Sequence, residues 1–401
     1  MRPHRDLPCD GRLHRVGLYL GSRHGVKSTM AIGTFGGEDG SGGARSDERS
    51  APLVRTWLFV VAAMIFAMVV VGGATRLTGS GLSITEWAPI MGAIPPLSEA
   101  DWAAAFAKYK EIPQYRLENA GMSLGDFKSI FWWEWSHRLL GRSIGVVYAL
   151  PLLWFVVTGR IGRARLPRFL LLLVLGGLQG FVGWWMVASG LVDRVTVAPY
   201  RLAVHLTLAA VIFAAIVWTA LTCGPSSMTR RRSPILRVGA GAVLGWTVFQ
   251  IFLGALVAGN HAGLVYNTWP SMNGYFAPPD LMTWEPWWRN FFENHAMVQF
   301  LHRMGAYVLF ALAIAQFTLV VVTARTSAAR VSAFVLGFAV AFQMLVGIAT
   351  LLTLVPLSLA LTHQAVAMVV LTAAVVHAVS VFAPGHIATG LPEVGGRAPA
   401  G

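Results

Sequence analysis

Long apolar runs constrain this chain more than any other feature. Stretches such as Trp57–Val71, Leu166–Trp185, Ala203–Leu221 and Val331–Leu354 approach the roughly 20 apolar residues needed to cross a bilayer. Read in order, the runs place eight spans near 54–74, 136–157, 168–189, 200–222, 236–258, 297–322, 331–353 and 357–382. A backbone in hydrocarbon must satisfy its own hydrogen bonds, so each span is expected to be an α-helix. Transmembrane strands would instead show short segments of alternating apolar and polar residues, and none occur. Only 12% of the residues are charged, against about 25% in soluble domains. The expected fold class is an all-α integral membrane protein with eight transmembrane helices.

The net charge of +13 would point to nucleic acid in a soluble protein, but its placement gives another answer. Arg160, Arg163, Arg165 and Arg168 crowd the loop after the second span, Arg230, Arg231, Arg232 and Arg237 that after the fourth, and Arg325 and Arg330 that after the sixth. The positive-inside rule puts these loops and both termini on the cytoplasmic or matrix side, and no nucleic-acid partner is expected. Cys9 and Cys223 fall in the N-terminal tail and at an inner helix end, where they form neither a disulfide framework nor a thiolate metal site. Residues 1–53 and 383–401 read as disordered tails, the first rich in Gly, Ser and Arg without periodicity. No apolar core of a cleaved signal peptide precedes the first span, and Met30 offers a second candidate start.

An internal repeat organises the rest. Gly73-Ala-Thr-Arg-Leu-Thr-Gly-Ser-Gly-Leu82 ends the first span, and Gly254-Ala-Leu-Val-Ala-Gly-Asn-His-Ala-Gly-Leu264 ends the fifth. Thr85-Glu-Trp-Ala-Pro89 and Pro95-Pro-Leu97 in one copy answer Thr268-Trp-Pro270 and Pro278-Pro-Asp-Leu281 in the other. Then come His137-Arg138 against His302-Arg303, Gln179-Gly-Phe-Val-Gly183 against Gln343-Met-Leu-Val-Gly347, and His205 against His363. Four spans separate the copies, so both halves have one orientation, related by an axis along the membrane normal. The expected organisation is two pseudo-symmetric four-helix bundles, 54–222 and 236–382. The first carries a long outer loop, 76–135, with a helical stretch from Ser98 to Tyr109. Aromatic clusters at Phe131–Trp135 and Trp284–Phe292 read as interfacial belts or as partial linings of a ligand cavity.

Ionisable residues inside spans are costly and usually face a bundle interior. His137, His205, His302 and His363 lie at matching places in the repeat, each near the outer end of its span. One imidazole from each of two facing helices, with a planar macrocycle between, is a bis-histidine haem site. Another metal, or hydrogen bonding alone, remains an alternative for these four; tetrahedral zinc fits less well, because no Cys or carboxylate converges with them. Arg138 and Arg303 either anchor the interface or pair with haem propionates. His261, His295 and His377 have no counterparts in the first half and read as structural or surface residues. Three residues before His137 stands Glu134, and three before His302 stands Gln299. A carboxyl on the His137 face, with an amide in its place on the other half, points to proton-coupled chemistry in the first half and a permanent cofactor site in the second. A solvated interfacial carboxylate is the simpler alternative.

Together these strings resemble the haem A synthase family, in its alphaproteobacterial and mitochondrial branch. The residues carrying the resemblance are Gly72-Gly-Ala-Thr-Arg-Leu-Thr-Gly-Ser-Gly-Leu-Ser83, Glu134-Trp-Ser-His-Arg-Leu-Leu-Gly141, Gly254-Ala-Leu-Val-Ala-Gly-Asn-His-Ala-Gly263, Asn267-Thr-Trp-Pro270, Gln299-Phe-Leu-His-Arg303 and Thr362-His-Gln-Ala365. They span roughly 54–382, in order and in both halves. The resemblance implies oxidation of the C8 methyl of haem O to a formyl group through a hydroxylated intermediate, giving haem A for cytochrome oxidase. It assigns His137 and His205 to the substrate haem and its iron, where Arg138 is the candidate propionate partner. It assigns His302 and His363 to a haem b cofactor and its iron, where Arg303 is the candidate propionate partner, and makes Glu134 the catalytic residue. Some bacterial members carry a cysteine pair in the first outer loop; residues 76–135 have none, which excludes a thiol relay there.

The implied partners are haem O, membrane lipid, haem O synthase (the protohaem farnesyltransferase), an unidentified electron partner and, in a homo-oligomer, further copies of the chain. The implied location is the bacterial inner membrane. A dihaem b-type transmembrane electron-transfer protein is the main rival, since it explains four histidines equally well. It leaves the long outer loop and the unmatched Glu134 without a role. A transporter is disfavoured by the parallel repeat.

Overall fold

The computed structural model describes residues 40–88, 91–224, 233–324 and 326–383. Residues 1–39 and 384–401, with Cys9, His4, His14, His24 and His386, and the loop residues Arg230, Arg231, Arg232 and Arg325 lie outside the described residues, whereas residues 40–53, expected to be disordered, are helical and open α1. Among the described residues eight helices are long and apolar enough to cross a membrane. They are α1 (Gly40–Leu77, apolar from Ala51), α4 (Leu124–Val157), α5 (Leu166–Ala188), α6 (Pro199–Leu221), α7 (Pro234–Gly259), α9 (His295–Thr323), α10 (Ser327–Leu352) and α11 (Leu357–Phe382). Three short helices lie between them: α2 (Glu99–Tyr109), α3 (Pro113–Leu117) and α8 (Asn290–Glu293). No named strand occurs among the described residues. The chain is a multi-pass membrane protein.

Six helices start within a few residues of their sequence positions; α1 begins at Gly40, fourteen residues before the run expected at 54, and α4 also starts early. Helix α4 begins at Leu124, twelve residues before the apolar run expected at 136, because Ser123 and Asp126 form a capping box. The Asp126 N–H donates to Ser123 Oγ at 3.2 Å, and the Ser123 N–H donates back to the Asp126 carboxylate at 3.3 Å. Such reciprocal caps satisfy two donors that a helix start otherwise leaves unpaired. His137 therefore sits nearly four turns into its helix rather than within the first two, and the Phe131–Trp135 cluster is helical.

The early start gives the α1–α4 connection something to pack on. Ser98 and Asp101 cap α2 in the same reciprocal way, at the helix start expected from the sequence. Trp102, Phe106 and Tyr109 of α2 then bury against Phe127 and Phe131 of α4, with Leu82 and Ile112 closing the cluster. Fully burying one such side chain contributes roughly 1.5–3 kcal/mol, so this small core holds the connection down firmly. Gln114 links it to the end of α1 by donating to the Gly79 carbonyl at 3.0 Å.

Within the spans, α6 and α11 are central: α6 packs on α1, α5, α7 and α11, and α11 on α1, α6, α7 and α10. Helix α11 is accordingly the most buried span and α5 the least, with α5 presenting Leu170, Leu171, Val174, Leu178 and Phe181 outward. At the ends of α1, α4 and α5 away from the α1–α4 connection, Trp57 packs on Tyr148, Phe155 and Phe169. The Trp57 indole donates to the Val147 carbonyl at 2.8 Å. In the second half His377 is fully buried, its two ring nitrogens lying 3.0 Å from Ser332 Oγ and 2.9 Å from Gln316 Nε2. Gln316 also donates to the Leu236 carbonyl, so one polar cluster ties α7, α9, α10 and α11 together. Buried polar groups are normally paired in this way.

Candidate functional site: two histidine pairs and their clamps

Each of the four histidines is half-buried and lies against a glycine of the preceding long helix. His137 on α4 faces Gly72 on α1, His205 on α6 faces Gly183 on α5, His302 on α9 faces Gly254 on α7, and His363 on α11 faces Gly347 on α10. A Cβ at these glycines would come within 3.3, 2.9, 3.0 and 2.7 Å of the respective ring Cε1. Glycine is needed because only a bare backbone admits the imidazole so closely. The repeat register read from Gly73 is thus off by one: Gly72 is the residue that answers Gly254. Gly73 instead makes room for Gln364, whose amide donates to the Val69 carbonyl at 2.6 Å.

Three of the histidines share a second device that the sequence reading did not assign. Gln179, Gln250 and Gln343 stand four residues before Gly183, Gly254 and Gly347, on the same helix faces. Their amides donate to the backbone carbonyls of His205 (3.1 Å), His302 (2.8 Å) and His363 (2.9 Å). Met68 takes this position before Gly72. The signal was available as a Gln-x-x-x-Gly spacing in three spans, but only two of the three copies stand out against the repeat.

The rings of His302 and His363 lie 6.3 Å apart, centre to centre, with their planes 83° to one another. His137 on α4 and His205 on α6 stand on helices that both pack on α1. Among the described residues no three His, Cys, Asp or Glu side chains converge as a metal site.

Beside the first pair, Glu134 is buried and accepts four hydrogen bonds. Ser83 Oγ and the Ile84 N–H donate to Oε2, both at 2.8 Å, while Arg138 donates to Oε1 from Nε (3.0 Å) and Nη2 (2.6 Å). Arg138 also donates to the carbonyls of Ile84 (2.6 Å) and Glu86 (2.9 Å). The second half builds the same clamp from neutral parts. Gln299 donates to the Ala262 carbonyl at 2.8 Å and accepts from Arg303, which also donates to the carbonyls of Tyr266 and Thr268. Both arginines therefore hold the backbone that follows the preceding long helix. The Glu134/Gln299 difference follows the backbone polarity: the carboxylate meets donors, and the amide meets carbonyls.

Asn294 caps α9 by accepting from the N–H groups of Ala296 and Met297, which fixes where His302 stands. In the α7–α9 connection Tyr266 donates to Asp280 at 2.7 Å, and burial followed by that carboxylate pushes its phenol up to about 12. His261 and His295 are exposed. Partial shielding of the His261 ring, then the nearby Arg76 and His295, hold its imidazole below the usual range although the residue as a whole is exposed.

The family model for cytochrome oxidase assembly protein (COX15-CtaA) matches residues 55–375. The chain belongs to this family. Among its relatives is a protein named heme A synthase from Rhodopseudomonas palustris strain BisA53, 58% identical over 322 residues, which are 79% of this chain and 88% of the relative. Proteins of the same name from Mesorhizobium japonicum and Parvibaculum lavamentivorans are 54% and 52% identical, over 82% and 80% of this chain and 91% and 92% of theirs. The match covers both histidine pairs and both clamps.

Proposed function

We propose that this membrane protein is a haem A synthase, oxidising the C8 methyl of haem O to a formyl group. The observation that carries the reading is the four-histidine constellation, two pairs each seated on glycine, in a chain more than half identical to proteins of that name. His302 and His363 are the pair for a resident haem b. Their ring centres lie 6.3 Å apart, close enough that the two imidazoles would hold one haem iron between them. Bound there, haem b supplies one-electron chemistry. The protein's own part is to hold both rings against bare backbone and to anchor their helices through Gln250 and Gln343. His137 and His205 are the pair for the substrate. Glu134, the one carboxyl within a turn of any of the four histidines, is the proton-handling group in this reading.

The basic ends at Arg160, Arg163, Arg165 and Arg330 support a bacterial inner-membrane orientation with both termini inside and the histidines toward the outer face. Reporter fusions after Gly159 and Thr326 are expected to score as inside, and fusions at Glu99 and Asp280 as outside. The reverse pattern refutes the orientation. The reaction itself is tested by chromatography of haems extracted from cells that make haem O, with and without this chain. A formyl haem is expected only with it. A folded, haem-loaded protein that leaves haem O unchanged would leave the dihaem electron-transfer reading in its place.

A further inference from the structure

Within four residues of each histidine on its own helix, the charged neighbours differ between the pairs. Glu134 and Arg138 flank His137, and Arg201 precedes His205; Arg303 follows His302, and no charged residue flanks His363, where Leu359 takes the place of Arg201. One acid and two arginines beside the first pair, against one arginine beside the second, leave one net positive charge beside each. The acid that the first half adds comes with an added cation.

The hydrogen bonds show which arginine keeps its charge available. Arg138 is neutralised by its fork onto Glu134. Among the described residues Arg201 meets no carboxylate: Nη1 donates to the Trp185 carbonyl at 2.8 Å, and the guanidinium lies 4.5 Å from the Trp185 ring centre. Its buried Nε has no acceptor among the described residues. Trp185 stands two residues beyond Gly183, the glycine against which His205 packs, and Arg201 shares one face of α6 with His205 at i, i+4. Cation and imidazole therefore abut the same end of α5. A buried guanidinium donor without an acceptor is costly, and its planar fork matches a carboxylate. In the second half the arginine with a buried, unpartnered Nε is Arg303.

We propose that Arg201 binds a propionate carboxylate of the substrate haem and so orients the macrocycle between His137 and His205. This rests on the reading that those histidines hold haem O. In the alternative, Arg201 only clasps the end of α5 through Trp185.

The test titrates the purified protein, with haem b in place, with haem O and with its propionate dimethyl ester, followed by absorption. Wild type is expected to bind the acid more tightly than the ester. Arg201→Leu, which copies Leu359, is expected to weaken haem O binding roughly ten- to hundredfold and to leave ester binding within about twofold. Arg201→Lys keeps the charge without the fork and is expected to fall between. An unchanged haem b spectrum certifies the fold; if Arg201→Leu loses it, the Arg201→Lys comparison decides alone. Equal weakening of acid and ester overturns the inference and leaves the α5 clasp. Equal wild-type affinity for acid and ester also overturns it, while the substrate-site reading stands. Failure of wild type to bind either haem removes the substrate-site reading itself, and this inference with it.

Discussion

Purified His302→Ala and His363→Ala proteins are expected to lose nearly all of their low-spin haem b absorption, because each removes an axial ligand. The glycines predict the same loss by another route. A side chain at Gly347 starts 2.7 Å from the His363 ring, and one at Gly254 starts 3.0 Å from that of His302. Gly347→Leu must therefore push the imidazole off its position, since packed interiors do not absorb several extra carbons without strain. Haem b should be lost although both histidines are intact. His137→Ala, His205→Ala and Gly183→Leu are expected to abolish conversion of haem O while retaining most of the haem b spectrum. Full haem b in both His302→Ala and His363→Ala would end the assignment of that pair. Loss of haem b in all six variants would mean that they report folding rather than ligation. Milder losses are expected for Gln250→Ala and Gln343→Ala, whose amides hold the ligand-bearing backbone rather than the iron.

The membrane architecture was legible because span length is set by the bilayer, and an apolar run announces it directly. Six helices accordingly start where the apolar runs do. The start of α4 was not, because residues 124–135 mix polar and aromatic side chains and extend a helix beyond its apolar run. Its signal was the Ser123/Asp126 box, the same device that marked α2 at Ser98. The histidines were legible as types at repeated positions, but what each leans on was not. A glycine carries no sign of what approaches it, so the one-residue shift between Gly72 and Gly73 emerges only when His137 is seen against the first and Gln364 against the second. The partners of Arg138 and Arg303 were hidden for a related reason. They are largely backbone carbonyls of irregular segments, and such segments have no periodicity from which to read direction. The sequence leaves interface anchoring and propionate pairing open for these arginines. Clamping the connection is a third.

Glu134→Gln is expected to lower conversion of haem O by roughly the 10²–10⁴ that a general acid–base contributes, with the haem b spectrum retained. Read from sequence, the change merely copies Gln299 into the other half. The structure makes it less innocent. All four partners of Glu134 are donors: Ser83 Oγ can turn its proton away, but the Ile84 N–H and the Arg138 guanidinium cannot. The amide nitrogen that the substitution introduces must face one of them, leaving a buried donor unpaired at a cost of about 1–3 kcal/mol. A loss of activity on its own therefore does not separate a lost proton from a loosened connection. Ser83→Ala supplies the control, since it removes one hydrogen bond from the clamp and leaves the carboxyl in place. It is expected to reduce conversion less than tenfold, whereas Glu134→Gln falls at least ten times further. Thermal stability, followed by the haem b spectrum, should drop to a similar extent in both. If conversion instead tracks stability across Ser83→Ala, Arg138→Gln and Glu134→Gln, then Glu134 serves only to pin residues 83–86 onto α4. Normal haem A formation by Glu134→Gln refutes the catalytic role outright. Accumulation of the hydroxylated form would confine Glu134 to the second oxidation, because the first would then proceed without its proton.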